Sequence, residues 1–159
     1  MRIVADNMLV KLARWLRLGG ISVENVRYTD DSKIISFVKR KRALLLTSDR
    51  QLARRSRRRG FDVLLINDTN LDKQLAYVIK ALSLKPKVPG MICPLCNGKL
   101  KRVSKGKVKD FVPKRVCALH NSFYKCGKCG KIYWRGTHWK RIRERYERVK
   151  ALERKISLS

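Results

Sequence analysis

Acidic side chains are scarce in this chain of 159 residues: 12 Asp and Glu stand against 40 Lys and Arg, a formal net charge of +28. That shortage argues against the mixed Glu/Lys surface of a heat-adapted protein as the whole explanation. The excess of one sign points to an anionic partner. Nucleic acid comes first, because each neutralised phosphate releases a counterion. Long apolar runs are also missing, and none approaches the ~18 residues of a membrane-spanning segment. The opening Met1-Arg2-Ile3-Val4-Ala5-Asp6 lacks signal-peptide architecture. Cysteine is limited to five residues, four of them in paired CxxC spacing, which suits a reducing compartment better than a disulfide scaffold. The expectation is a cytoplasmic protein with no membrane partner and no small-molecule organic cofactor.

The paired cysteines are the strongest local signal. Cys93-Pro94-Leu95-Cys96 and Cys126-Gly127-Lys128-Cys129 each present two thiolates, and two such knuckles complete a tetrahedral Zn²⁺ shell. Closed four-cysteine sites are structural, so this zinc is expected to fold a ribbon and to perform no chemistry. Cys117 and His120 have similar spacing, with a buried thiol and a loop histidine as the simpler reading. The chain then divides into residues 1–85, a linker at 86–90 marked by Pro86, Pro89 and Gly90, a ribbon at 91–137, and a basic helix at 138–159 whose last three residues are expected to fray. Residues 1–85 carry 19 basic and 8 acidic side chains, and the remainder 21 and 4.

Apolar patterning in the first segment alternates between strand and helix. Residues 2–5, 21–28, 43–47 and 63–66 read as strands. Residues 7–18, the segment opened by Asp30-Asp31-Ser32, residues 50–59 and residues 71–83 read as helices. Such alternation predicts an α/β fold with a parallel sheet and flanking helices. In the ribbon, residues 99–103 and 107–112 read as short strands. From His138 onward Trp139, Ile142, Tyr146, Val149, Leu152 and Ile156 form one helical stripe, expected to pack on the ribbon.

The few acids of the first segment are not scattered. Asp6, Asp30, Asp31, Asp49 and Asp68 all follow expected strands. Ligands of open parallel sheets bind beyond the carboxyl ends of the strands. Carboxylates gathered there need a cation between them, and Mg²⁺ or Mn²⁺ takes oxygen ligands of this kind. A basic surface with an acidic, metal-holding crevice suits phosphodiester hydrolysis. The competing reading is helix capping, which alone would account for Asp30, Asp31, Asp49 or Asp68.

Several longer motifs resemble a known family. They are Ala5-Asp6-Asn7-Met8-Leu9 with Lys11-Leu12-Ala13-Arg14-Trp15-Leu16-Arg17, then Leu45-Leu46-Thr47-Ser48-Asp49-Arg50, then Cys93-Pro94-Leu95-Cys96-Asn97-Gly98. Last come Phe123, Cys126 and Cys129-Gly130-Lys131-Ile132-Tyr133-Trp134, followed by Gly136-Thr137-His138-Trp139. In order, from about residue 2 to 140, they resemble the Mut7-C RNase domain family. The resemblance implies a PIN-like nuclease domain, a zinc ribbon and metal-dependent RNA cleavage. It maps Asp6 and Asp49 onto two family acids, Asp31 or Asp30 onto a third, and Asp68, with Asp72 as the alternative, onto the fourth. Ser48 stands where family members often have Arg, and the tail beyond residue 140 is more basic than the family pattern.

The candidate RNA contacts are Arg14 and Arg17, the run Lys39, Arg40, Lys41 and Arg42, the run Arg54, Arg55, Arg57, Arg58 and Arg59, and Arg135, Lys140 and Arg141. The two runs are expected near the crevice. Unmixed Arg favours phosphate contact over a merely solvated face. Tyr133, Trp134 and Trp139 offer faces for base stacking, against the simpler role of filling a small core. His138 is either an acid/base group or a structural hydrogen-bonding residue. Two functions compete: a metal-dependent endoribonuclease, free-standing or directed at one structured RNA, and a non-catalytic RNA-binding protein on the ribosome or another large RNA. Ribosomal RNA and tRNA are the partners considered.

Overall fold

Uninterrupted apolar runs make the central strands. β1 (Ile3–Ala5) is buried throughout and β3 (Leu44–Thr47) nearly so, as interior parallel strands covered on both faces must be. The computed structural model describes residues 1–157. It pairs these strands in a four-stranded parallel sheet of order β2-β1-β3-β4, with β2 (Glu24–Asn25) and β4 (Val63–Leu65) at the edges. Alternate side chains point to opposite faces. Ile3, Ala5 and Leu46 therefore meet α1 (Val10–Leu18) and α4 (Leu71–Ala81), while Val4 and Leu45 meet α2 (Asp31–Lys41) and α3 (Arg50–Arg58). This is the expected α/β fold. Strand 21–28 is shorter than expected, with only Glu24 and Asn25 pairing, against Val4 and Ala5. Val23 and Val26 bury their side chains on either side of that short ladder, and Arg27, Tyr28 and Thr29 are exposed.

A second sheet is antiparallel: β5 (Leu100–Val103), β6 (Phe123–Cys126) and β7 (Ile132–Trp134), with α5 (Lys114–Leu119) between the first two. The strand expected over 107–112 is absent. Its two buried apolar residues, Val108 and Val112, are four positions apart, a helical spacing. They close over Phe123 from a turn that follows a 3-10 segment at Lys105–Lys107.

The last helix, α6 (Thr137–Lys155), does not pack its stripe on the ribbon as expected. Ile142, Tyr146, Val149, Leu152 and Ile156 join the core of α1 and α4. The Tyr146 hydroxyl donates to the Trp15 carbonyl at 2.5 Å, and Arg145 lies 4.4 Å from the centre of the Trp15 ring. Gly19 makes room for Tyr146, since a Cβ there would fall 2.3 Å from its hydroxyl oxygen. Asp72 pairs with Arg145 at 2.9 Å and with Arg148 at 3.3 Å, tying α6 to the start of α4.

Residues 86–90, expected as a linker, are docked along the end of α1. Lys87 donates its N–H to the Gly19 carbonyl and Gly90 to the Leu18 carbonyl, both at 2.9 Å. These bonds satisfy carbonyls that a helix end otherwise leaves open. A Cβ on Gly90 would lie 2.1 Å from the Gly20 nitrogen, so the approach admits only glycine. The fray expected over 157–159 falls on Ser157, which is exposed beyond α6, and on Leu158 and Ser159, which lie outside the described residues.

Candidate active site and metal centre

In the order β2-β1-β3-β4 the chain leaves β1 and β3 toward opposite faces, and the crevice between them is where such sheets bind ligands. Asp6 and Asp49 stand there. The Asp6 N–H extends the ladder to the Leu46 carbonyl at 3.1 Å. The Asp6 side chain is 3% exposed. It accepts the Met8 N–H at 2.9 Å on one oxygen and the Thr47 hydroxyl on the other. Burial holds its pKa above the ordinary 3.8, and the bonds from Thr47 and the backbone amides of Met8, Leu9 and Ser48 only partly oppose this. A carboxylate short of solvation gains from a nearby cation. The same Thr47 hydroxyl accepts the Asp49 N–H at 3.0 Å, so one side chain orients both acid positions. Thr47 has no expected role in the sequence, although its place two residues before Asp49 in the Leu45–Asp49 motif is the available signal.

The remaining acids lie apart. Asp30 caps α2 through the Lys33 N–H at 2.9 Å, and Asp31 pairs with Arg55 at 2.9 Å. Asp68 accepts the Asn70 N–H at 2.8 Å and lies 3.8 Å from Lys73. Asp49 caps α3 through Gln51 and Leu52. Asp30 and Asp49 are thus both engaged as helix caps. Among the described residues no three acids bring their oxygens within 4.8 Å of one another.

The four knuckle cysteines do converge to that spacing. A tetrahedral zinc with Zn–S near 2.3 Å requires sulfurs about 3.8 Å apart. The Cys93–Cys129 and Cys96–Cys126 sulfurs are 3.8 and 3.4 Å apart. The donor set therefore fits a metal such as zinc. Tyr133 lies 3.1 Å from the Cys93 sulfur. Burial raises the Cys93 pKa, but hydrogen bonds from Tyr133 and from the backbone at Cys96 and Leu95 outweigh it and bring the thiol down to about 7. Burial also pushes the Tyr133 phenol up, so it remains a donor to a thiolate. Gly98 faces this cluster, where a Cβ would lie 2.7 Å from the Cys126 sulfur. Cys117 packs instead beside Val108, Val112 and Phe123.

A family model described as the Mut7-C RNAse domain matches residues 1–146. The chain belongs to this family. Comparison with curated proteins and with solved structures gave no match. Membership in the Mut7-C family carries a nuclease or RNA-related role, with RNA as the implied substrate class.

Arg17 corrects one expected RNA contact of this Mut7-C chain. It is 4% exposed and spends its guanidinium inside the protein. It donates to Val23 O at 2.8 and 2.6 Å, to Asn25 Oδ1 at 2.6 Å, and to the Pro94 and Leu95 carbonyls at 3.0 and 3.3 Å. Asn97, in left-handed conformation at φ 63°, completes the joint by accepting the Val23 N–H at 3.1 Å and pairing with Ser22. The first cysteine knuckle is thereby bolted to β2 and α1. Sequence reasoning missed this clamp, because Arg17 shares its helix and spacing with the exposed Arg14.

Most of the two basic runs also needs correcting, although Arg55 meets Asp31 at the start of α2. Lys39, Arg40 and Arg42 end α2, and Arg57, Arg58 and Arg59 end α3. Both helices run back toward the strand starts, so these ends gather at the amino edge of the sheet. There Lys39, Arg40 and Arg42 line a surface cleft with Arg2 and Gly60. This is the end opposite Asp6 and Asp49. Lys41 pairs with Glu24 at 3.1 Å. Arg54 is exposed on α3, and Arg135, Lys140 and Arg141 are exposed around the start of α6, as is His138. The aromatic residues take the simpler role: Trp134 packs on the Phe123 cluster and Trp139 donates its indole N–H to the Trp134 carbonyl at 2.7 Å.

Proposed function

We propose that the crevice at the ends of β1 and β3 is the centre of a metal-dependent endoribonuclease of PIN-like fold. Asp6 and Asp49 are its central ligands, Asp31 and Asp68 contribute from the flanks, and Asp30 is the alternative to Asp31. The observation that carries this reading is the buried Asp6 carboxylate, oriented by Thr47 at the switch point of a basic Mut7-C chain. Asp72 is set aside because two arginines of α6 already engage it. Asp6 and Asp49 would hold a hard divalent cation, Mg²⁺ or Mn²⁺, which would offset charge on a phosphate and lower the pKa of a bound water. Thr47 and the amides around Asp6 fix the carboxylate before substrate arrives. Zinc in the cysteine cluster is structural, and a reducing cytoplasm keeps those thiols available to it.

A non-catalytic, RNA-binding role on ribosomal RNA, tRNA or another large RNA is the second reading. The engagement of Asp31 by Arg55 and of Asp68 by Lys73 favours it, since both carboxylates already face a cation. Incubation with structured and single-stranded RNAs and Mn²⁺ or Mg²⁺ separates the two. Cleavage that requires added metal and vanishes in Asp6→Asn and Asp49→Asn supports the nuclease. Binding without cleavage in all three proteins overturns it.

A further inference from the structure

A groove of about 620 Å³ runs between the open edge of β2 and the first cysteine knuckle. Its lining includes Asn7, the neighbour of Asp6, and Lys128 on the second knuckle. Arg14, Arg27 and Lys128 are exposed in its walls. Glu24 is the one acid there, and Lys41 pairs with it at 3.1 Å. The groove therefore keeps three cations without an acidic partner.

Its walls also hold an incomplete hydrogen bond. The Asn25 Oδ1 accepts from Arg17 at 2.6 Å, which fixes the orientation of the amide. The Nδ2 on the other side is enclosed and has no partner. Enclosed in this way, the donor is out of reach of a ligand in the groove, and Asn25 shapes the wall through its bond to Arg17. Leu95, at the tip of the knuckle, adds an exposed apolar surface 46% accessible. Cations for phosphate and an exposed apolar face are elements that recognise an unpaired nucleotide.

We infer that this groove binds single-stranded RNA and leads it to Asp6. Arg14, Arg27 and Lys128 hold the backbone, and Leu95 covers a base face. The inference rests on the nuclease reading of the crevice for its direction, and on the groove alone for binding. The joint is rigid because Arg17 and Asn97 lock its floor. The ribbon thereby supplies one wall of the binding path, a role beyond folding around its own metal. Duplex RNA is excluded on shape, since it is recognised across a broad minor-groove surface.

The test is the affinity of the full, zinc-loaded chain for a labelled unstructured 12-nucleotide RNA without added Mg²⁺ or Mn²⁺. The variant Arg14→Ala/Arg27→Ala/Lys128→Ala is expected to bind at least about tenfold more weakly. Its salt dependence should flatten by about two in log–log slope, near the value for three single-strand phosphate contacts. Removing equal charge from the far side of the ribbon with Lys107→Ala/Lys109→Ala/Lys114→Ala should cost less than about threefold. Equal losses in the two triple variants, or wild-type affinity in the groove triple, overturn the inference. Equal competition by a blunt duplex overturns the single-strand assignment. Cleavage lost in Asp6→Asn while the groove triple binds normally sinks the groove and spares the nuclease. Groove-dependent binding with no cleavage by any form sinks the nuclease and spares the groove.

Discussion

Arg17→Met is the most demanding perturbation of the architecture. Methionine fills the path of the aliphatic stem and removes the guanidinium, whose donors reach Val23 O, Asn25 Oδ1, Pro94 O and Leu95 O. Each hydrogen bond to a charged group is worth about 1.5–3 kcal/mol net. The bonds share one side chain, so they do not add. The Pro94 and Leu95 carbonyls are only partly buried and regain some hydration, whereas the bonds to Val23 are buried. A loss of about 3–5 kcal/mol follows, less than the plain sum of several bonds to one charged group. At about 2–4 °C per kcal/mol for a chain of this size, the melting temperature falls by on the order of 10 °C. Arg14→Met, one helical turn away and exposed, should shift it by about 1 °C, as surface substitutions do. Arg17→Lys should not rescue, because one ammonium cannot reproduce a fork aimed at four acceptors. Thermal denaturation by circular dichroism reads the shift, and competition with a chromogenic chelator reads zinc retention. If Arg17→Met melts within about 2 °C of Arg14→Met and holds zinc equally well, the clamp does not join the domains.

The Asp6 carboxyl titrates above its ordinary 3.8, so the folded chain takes up this proton more readily than the unfolded chain. Its contribution to stability is fully present below 3.8 and is lost as pH rises through the folded value. Denaturant titrations across that window should show wild type gaining stability on acidification relative to Asp6→Asn; parallel curves would refute the burial effect. For the metal centre, Cys129→Ser should drop zinc from one per chain toward none by elemental analysis. Cys117→Ser should leave it unchanged, because Cys117 packs with Val108 and Phe123. Equal zinc loss in both variants would place Cys117 in the ligand set.

The elements set by local pattern were legible from the residues. Val4, Leu45 and Leu46 read as buried strands because parallel sheets cover both faces. The cysteines read as a metal cluster because spacing within a knuckle is local. What the sequence hid depends on long-range partners. The stripe on α6 is visible as a stripe, but nothing local distinguishes the ribbon from α4 as its target, and Tyr146 meets Trp15 across 131 residues. Residues 86–90 carry the composition of a linker, yet Gly90 is a contact glycine whose need appears only beside Gly20. Arg17 and Arg14 look alike in sequence. They differ because one points at β2 and the knuckle and the other at the groove.

The misplacement of the basic runs has a cause that topology alone supplies. In a parallel α/β sheet each helix runs opposite to the strands, so its first turn lies at the carboxyl end and its last turn at the amino end. Asp30 and Asp49, caps of α2 and α3, therefore fall on the crevice side, and Arg42 and Arg59, which follow those helices, fall on the other. A four-residue strand spans about 13 Å, beyond the ~8 Å screening length of physiological salt. Charge at the amino edge is thus largely screened from Asp6 and Asp49. On the proposed reading, the cations placed to act on a strand in the crevice are Arg55, which faces Asp31, Lys73, which faces Asp68, and the groove residues Arg14, Arg27 and Lys128. On the same reading, Lys41 lines the groove paired to Glu24, whereas Lys39, Arg40, Arg42 and Arg57–Arg59 are left to hold a different stretch of a larger RNA. Short single-stranded substrates should therefore be bound and cut without them, and only longer substrates should lose affinity when they are neutralised.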